Sequence, residues 1–321
     1  IVQLAVQVPA LMRLGLMPRP RWGWRHSGVR KILRLMIPTL IGSSVAQVNL
    51  LLDTVIATFL MSGSVTWLYY SDRLLEFPLG VFGVALSTVI LPNLSLKFAR
   101  QNPHGFSATL DWALRLALII TLPAALGLAV LASPILVTLF QYDAFRMSAV
   151  DMSARSLSAY AAGLPAFIAV KVLAPGFYAR QDTRTPVKIA VIAMVSNMVL
   201  NLIFVVSLLA FGFRGPHMGL ALASSAAAYI NAGLLYRMLR RQGVYQPEAG
   251  WGRVLLAVGA GCVGMVAFLA WQSDAPALWA QWGASSRTAH LAFLIGVGAA
   301  VYAVAMLAGG LRLRHLEKGA S

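Results

Sequence analysis

Asp53, Asp72, Arg73 and Glu76 stand inside long apolar runs of the sequence. In a bilayer an ionisable side chain is costly unless it faces protein or water. Three of the four fall in one string, Tyr69-Tyr70-Ser71-Asp72-Arg73-Leu74-Leu75-Glu76-Phe77-Pro78. On a helix Asp72 and Glu76, four apart, share a face, and Arg73 and Glu76, three apart, can meet. Two chemistries fit this spacing. The string can neutralise itself as an internal ion pair, or Glu76 can orient Arg73 toward an anion. A guanidinium grips phosphate through two parallel hydrogen bonds, which an ammonium does less well. Lys171 precedes Pro175-Gly176. It either snorkels from a helix end or adds a second cation to a cavity wall.

Two pairs of oxygen donors have the same helical spacing: Asn49 with Asp53, and Asn197 with Asn201. Carboxylate and amide oxygens suit a hard monovalent cation such as sodium. They also suit plain hydrogen bonding between helices. Asp111 and Arg115 are four apart and are expected to anchor the cytoplasmic end of their helix. The single cysteine, Cys262, lies in an apolar run and reads as a small buried residue. No P-loop, dinucleotide fingerprint, HExxH or DDxxD occurs, so nucleotide hydrolysis and metal-assisted catalysis are not expected and the protein reads as no enzyme. The 5 histidines fall in or beside linkers, which argues against a histidine metal cluster.

The elements that must carry these residues follow from composition. Of 321 residues 59% are hydrophobic and 11% charged, with a mean hydropathy of +0.75. Soluble domains carry about 25% charged residues, so an integral membrane protein is indicated and most soluble enzyme classes are excluded. Eight runs are long enough to span a bilayer, at roughly 29–61, 64–94, 107–140, 148–180, 185–211, 217–239, 251–272 and 288–311. The first four are over-long and hold Pro38, Pro78, Pro123 and Pro165, where kinks or breaks are predicted. Ile1 to Met12 reads as the tail of a preceding membrane helix, and the chain as a C-terminal fragment. The expected divisions are 1–12 as that helix end, 13–28 as a basic cytoplasmic linker, 29–241 as a six-helix lobe, and 242–321 as two further helices and a tail.

Net charge is +16. Nineteen basic residues fall on one alternating set of linkers, and only Arg146, Arg155, Arg214 and Arg287 on the other. That alternation follows the positive-inside rule and places the entry region and C-terminus in the cytoplasm. Basic clusters set between apolar spans point to anionic lipid and not to nucleic acid. Trp22, Trp24, Trp251, Trp271, Trp279 and Trp282 near span ends are expected to be interfacial anchors. In the last two spans Gly259, Gly261, Gly264, Gly296 and Gly298 fit either close helix packing or a groove for a lipid chain. The fold class is therefore all-α: a polytopic membrane bundle of about eight spans plus a partial first one.

Several ordered strings resemble the MurJ/MviN family of lipid II flippases, within the multidrug/oligosaccharidyl-lipid/polysaccharide exporter superfamily. They are Arg34-Leu35-Met36-Ile37-Pro38, the Tyr69–Pro78 string with Gly80-Val81-Phe82-Gly83-Val84-Ala85-Leu86, Phe140-Gln141-Tyr142, Lys171-Val172-Leu173-Ala174-Pro175-Gly176-Phe177-Tyr178-Ala179-Arg180-Gln181-Asp182, and Thr185-Pro186-Val187-Lys188. The resemblance implies two six-helix lobes around a central cavity, with this chain supplying the second lobe and two extra helices. It implies inner-to-outer-leaflet transport of lipid II, an undecaprenyl-pyrophosphoryl disaccharide-pentapeptide, by alternating access in the bacterial inner membrane, driven by an ion gradient or the membrane potential. Arg73 would contact the pyrophosphate with Glu76 as its partner, and Asp72 and Lys171 would line the same cavity. Asn49, Asp53, Asn197 and Asn201 look like the family's sodium site, and no other cofactor is implied. Partners would be lipid II, membrane lipids and the missing N-terminal lobe. A drug or polysaccharide-lipid exporter of the same superfamily is the alternative.

Overall fold

The computed structural model describes residues 8–9, 11–15, 26–142, 145–273 and 276–309. The basic residues expected at 16–25 and in the tail from 310, with Trp22 and Trp24, lie outside them. Among the described residues every regular element is helical. Helix α1 is Ser27–Thr58, α2 Ser64–Pro78 and α3 Ala85–Ala99, with a π-helical segment Leu79–Val84 joining the last two. Then come α4 Pro103–Val130, α5 Ala132–Phe140, α6 Met147–Leu173 and the short α7 Pro175–Tyr178. The remainder are α8 Arg184–Ala210, α9 Met218–Arg241, α10 Trp251–Gln272, the short α11 Pro276–Trp279, and α12 Ala284–Ala308.

Among the described residues seven spans are long and apolar enough to cross a bilayer: Ser64–Ala99, Pro103–Val130, Met147–Tyr178, Arg184–Ala210, Met218–Arg241, Trp251–Gln272 and Ala284–Ala308. The remaining expected span is α1, a continuous 32-residue helix that packs on α8. Local chemistry sets several boundaries. The Asn102 side chain accepts from the Gly105 N–H at 2.8 Å, with Pro103 opening the first turn of α4. Asp182 Oδ1 accepts from the Thr185 N–H at 3.0 Å at the start of α8. Gly63 has φ 98°, and a Cβ there would fall 2.7 Å from the Trp67 ring.

The proline expectation needs correction. Pro123 and Pro165 sit inside unbroken helices, as Pro38 sits within α1. The breaks fall instead at Leu131 and Ala174. Pro175 opens α7, where its missing N–H is an orphan anyway. Pro78 does perturb its helix. It cannot donate one turn back, and the ladder widens into the π segment directly after it. The inward-facing residues record this insertion. They step through Leu68, Ser71, Leu75 and Pro78, then jump five to Gly83 before resuming at Leu86, Ile90 and Leu94.

Helix α6 is the most buried span and packs on α2, α4, α5 and α9. Small residues permit this. A Cβ at Gly163 would meet Ser225 Oγ at 2.5 Å, and Ser225 donates to the Ala159 carbonyl at 2.7 Å. Helices α10 and α12 form a pair laid on α4. A Cβ at Gly261 would fall 2.8 Å from the Tyr302 ring, and one at Gly298 3.2 Å from Leu269, so these two allow close packing, whereas Gly259 and Gly296 face open space. Cys262 is buried in this seam.

Two buried charges tie the bundle together. Asp111 pairs with Arg115 at 2.7 Å as expected, and its Oδ1 also accepts from Tyr245 Oη at 2.7 Å and Trp251 Nε1 at 2.8 Å. Arg287 has no acidic partner among the described residues. Its guanidinium donates to the carbonyls of Trp282, Val137, Gln141 and Ala280. It thereby bolts the start of α12 to the carbonyl end of α5, where the helix dipole favours a cation. Trp279 is fully buried in this corner and so is no interfacial anchor, whereas Trp271 is exposed.

Candidate functional site

Helix α2 presents two different faces. Leu68, Ser71 and Leu75 point into the bundle, and Ser71 Oγ donates to the Ser153 carbonyl of α6 at 2.8 Å. Arg73 and Glu76 lie on the open side, paired at 2.6 Å with side chains 55% and 50% exposed. The Arg73 guanidinium also lies 5.1 Å from the centre of the Tyr69 ring. Tyr69 was not singled out from sequence, although its position four residues ahead of Arg73 puts it on that face. The carboxylate takes an N–H of the guanidinium and the ring lies against it, while the side chain stays 55% exposed.

Asp72 is half-buried and forms no hydrogen bond or ion pair among the described residues. Asp72 and Glu76 lie close enough for their like charges to act on each other, as the spacing suggested, but no bond joins them. Lys171 is not joined to the Arg73–Glu76 pair either. It sits near the end of α6, half-buried, with its stem laid across the π segment. A Cβ at Gly83 would fall 2.6 Å from Lys171 Cδ, so the glycine makes room for the lysine. Its ammonium has no acidic partner among the described residues.

The oxygen-donor residues converge. Asn49 and Asp53 on α1 face Asn197 and Asn201 on α8, and Ser224 of α9 completes the group. Asn201 Nδ2 donates to Asp53 Oδ1 at 2.6 Å and to Asn197 Oδ1 at 3.0 Å. Ser224 Oγ donates to Asp53 Oδ2 at 3.1 Å. The Asn197 amide has a second orientation in which it donates to Asn49 Oδ1 at 2.9 Å and accepts from the Ser224 N–H at 3.1 Å. Asp53, Asn197 and Asn201 are buried, and Asn201 Oδ1 has no partner. One carboxylate, three amide oxygens and a hydroxyl, with one buried oxygen unused, fit a hard monovalent cation. No group of three or more His, Cys, Asp or Glu able to hold a metal occurs among the described residues. Ser224 was invisible in the sequence because serine is unremarkable in a membrane helix.

At the opposite end from the arginine-rich linkers, His217 is fully buried just ahead of α9. Its Nε2 lies 3.1 Å from the Met152 carbonyl and its ring 4.9 Å from Trp67. Burial, with Arg155 nearby, holds its pKa below the ordinary histidine value.

A family model described as lipid II flippase MurJ matches residues 1–292. This chain belongs to that family. As a MurJ-family member it is 50% identical over 319 residues to the probable lipid II flippase MurJ of Vibrio cholerae, with 99% of this chain and 59% of that protein covered. It is 45% identical to the counterpart in Haemophilus influenzae, covering 98% of this chain and 62% of that one. The chain thus spans about three fifths of the length of these MurJ relatives. A solved structure described as lipid II flippase MurJ in an inward closed conformation matches with a TM-score of 0.68 at 26% identity, over 87% of this chain and 55% of that one. An outward-facing multidrug resistance MATE family transporter of the MOP superfamily matches at 0.56 and 16% identity, which shows a shared fold alone. The MurJ membership and the apolar spans make this a multi-pass inner-membrane protein of a transporter family.

Proposed function

We propose that this chain forms one lobe of a flippase that moves lipid II from the inner to the outer leaflet, and that Arg73 is its pyrophosphate contact. The observation that carries the reading is the exposed Arg73 guanidinium, held by Glu76 and Tyr69 on the open side of α2 in a chain of the MurJ family. The apolar tail of such a substrate can stay in lipid, so the barrier is its charged headgroup. A wet chamber with fixed positive charge lowers that barrier. Rocking of two lobes about the site would expose it to each side in turn. In this reading Lys171 and Asp72 would add a secondary cation and a flanking acid to that chamber without bonding to the Arg73–Glu76 pair.

Asn49, Asp53, Asn197, Asn201 and Ser224 would hold a sodium-sized cation between α1, α8 and α9. Such an ion supplies a charge that ties the movement of these helices to an ion gradient. Each elementary charge crossing the membrane is worth about 2.3 kcal/mol per 100 mV, so a gradient or potential can drive the cycle. The alternating basic linkers favour a cytoplasmic C-terminus.

The test is genetic. In cells depleted of their own flippase, the complete protein carrying this chain is expected to restore growth. Its Arg73→Ala form is expected to fail, with lipid II accumulating in the inner leaflet at normal protein levels. Full growth of the Arg73→Ala strain sinks the assignment.

A further inference from the structure

A groove of 670 Å³ opens between the end of α4, the start of α5, α6 and α9 at the end away from the arginine-rich linkers. Its mouth carries Ser133, Asp151, Arg155 and Ser158, and its walls include Met218 and Leu222. Asp151 and Arg155 are four apart on one face of α6, the spacing of a helical ion pair, yet they do not pair. Arg155 Nη1 donates to the Arg214 carbonyl, and the guanidinium lies 5.2 Å from the centre of the Phe213 ring. Asp151 has no hydrogen bond or ion pair among the described residues. Two opposite charges are thus held apart at the rim of an apolar groove.

The depth of the groove is informative. From Asp151 to Ala162 the helix rises about 16 Å at 1.5 Å per residue. Half of a bilayer's hydrocarbon core is about 15 Å. Ala162 is the deepest lining residue on α6, and beyond it Tyr229 Oη donates to the Ala162 carbonyl at 2.9 Å. The groove therefore spans one leaflet, with its charges at the headgroup level.

We propose that it binds one aminophospholipid of the phosphatidylethanolamine type, with the phosphate on Arg155 and the ammonium on Asp151. An acyl chain runs along Met218 and Leu222 toward Tyr229. The zwitterionic head matches the separated charges in sign and order. Phosphatidylglycerol offers nothing cationic to Asp151, and the quaternary ammonium of phosphatidylcholine has no N–H to donate to it. The proposal is independent of which substrate the family site carries.

Native mass spectrometry of the purified protein tests it, with phosphatidylethanolamine, phosphatidylcholine and phosphatidylglycerol of matched chains. One phosphatidylethanolamine is expected to be retained about fivefold better than either rival, the factor of one exposed ionic contact. Asp151→Asn is expected to abolish that preference while weaker retention of all three persists. Asp151 is exposed, so this change leaves the packing intact. Leu222→Trp, which fills the groove, is expected to lose the bound lipid with both charges in place. Equal retention of the three lipids by the unaltered protein overturns the proposal, as does an undiminished preference in either variant.

Discussion

Replacing Asp111 by alanine should destabilise the protein more than any change at its exposed charges. Asp111 is 1% exposed, accepts from Tyr245, Trp251 and the Glu248 N–H, and pairs with Arg115. Removing it leaves the Trp251 indole N–H and the Tyr245 hydroxyl without an acceptor. Each buried unsatisfied donor costs about 1–3 kcal/mol. Burial pushes the Tyr245 pKa up with or without Asp111, so the hydroxyl cannot escape by ionising. Arg115 also loses its partner, but it is 17% exposed and keeps the carbonyls of Glu248 at 3.1 Å and Ala249 at 2.9 Å. Its share is therefore about 1 kcal/mol or less. The expected loss is about 3–5 kcal/mol, in line with breaking a buried ion pair from one side. Asp111→Asn retains an acceptor of the same shape and should cost about 1–2 kcal/mol. Detergent-denaturation titration of the purified variants measures both. Hydrogen exchange should show faster exchange confined first to the 242–251 linker. An Asp111→Ala protein within about 0.5 kcal/mol of the parent, or an asparagine variant as damaged as the alanine one, would refute the reasoning.

Other expectations follow from the same structure. Asp53→Asn should remove sodium-dependent thermal stabilisation, which the parent should show and potassium should reproduce weakly; equal sodium response in both proteins counts against the cation site. Gly83→Ala should displace the Lys171 stem, so its effect on growth complementation should not add to that of Lys171→Met; additive effects would mean that the two do not act as a unit. His217 has a lowered folded-state pKa, so the unfolded chain takes up a proton more readily. Its stabilising contribution is complete above the unfolded value of about 6.5 and is lost as pH falls through and below it. Melting temperature should thus drop between pH 7 and pH 5, and His217→Gln should flatten that slope.

Much of this was legible in the sequence because a bilayer makes polar residues conspicuous. The pairs Asn49 with Asp53 and Asn197 with Asn201 stood out as oxygen donors four apart inside apolar runs. Their meeting across α1 and α8 is a long-range contact that spacing on either helix cannot reveal. The Arg73–Glu76 pair followed from local geometry, whereas the inward turn of Asp72 depends on packing against the rest of the bundle. Prolines misled as break points. Pro123 and Pro165 each remove one donor from a helix that runs unbroken through them, and the breaks sit at Leu131 and Ala174. Trp279 carried the composition of an interfacial anchor, but the corner built around Arg287 encloses it.

The five-residue step in the inward stripe at Leu79–Val84 has a consequence for how this helix tolerates change. Deleting one residue from this wide turn would let an ordinary α-helix close across it, still long enough to cross the membrane. Because the wide turn already absorbs the extra residue, the step of five would become four and the stripe on either side would keep its phase. Ile90 and Leu94, both fully enclosed, would go on facing the bundle. A single deletion farther along the helix, with no wide turn to absorb it, would instead rotate everything beyond it by about 100°. Hydropathy would score the two shortened chains alike, while only the second would lose its packing against α4.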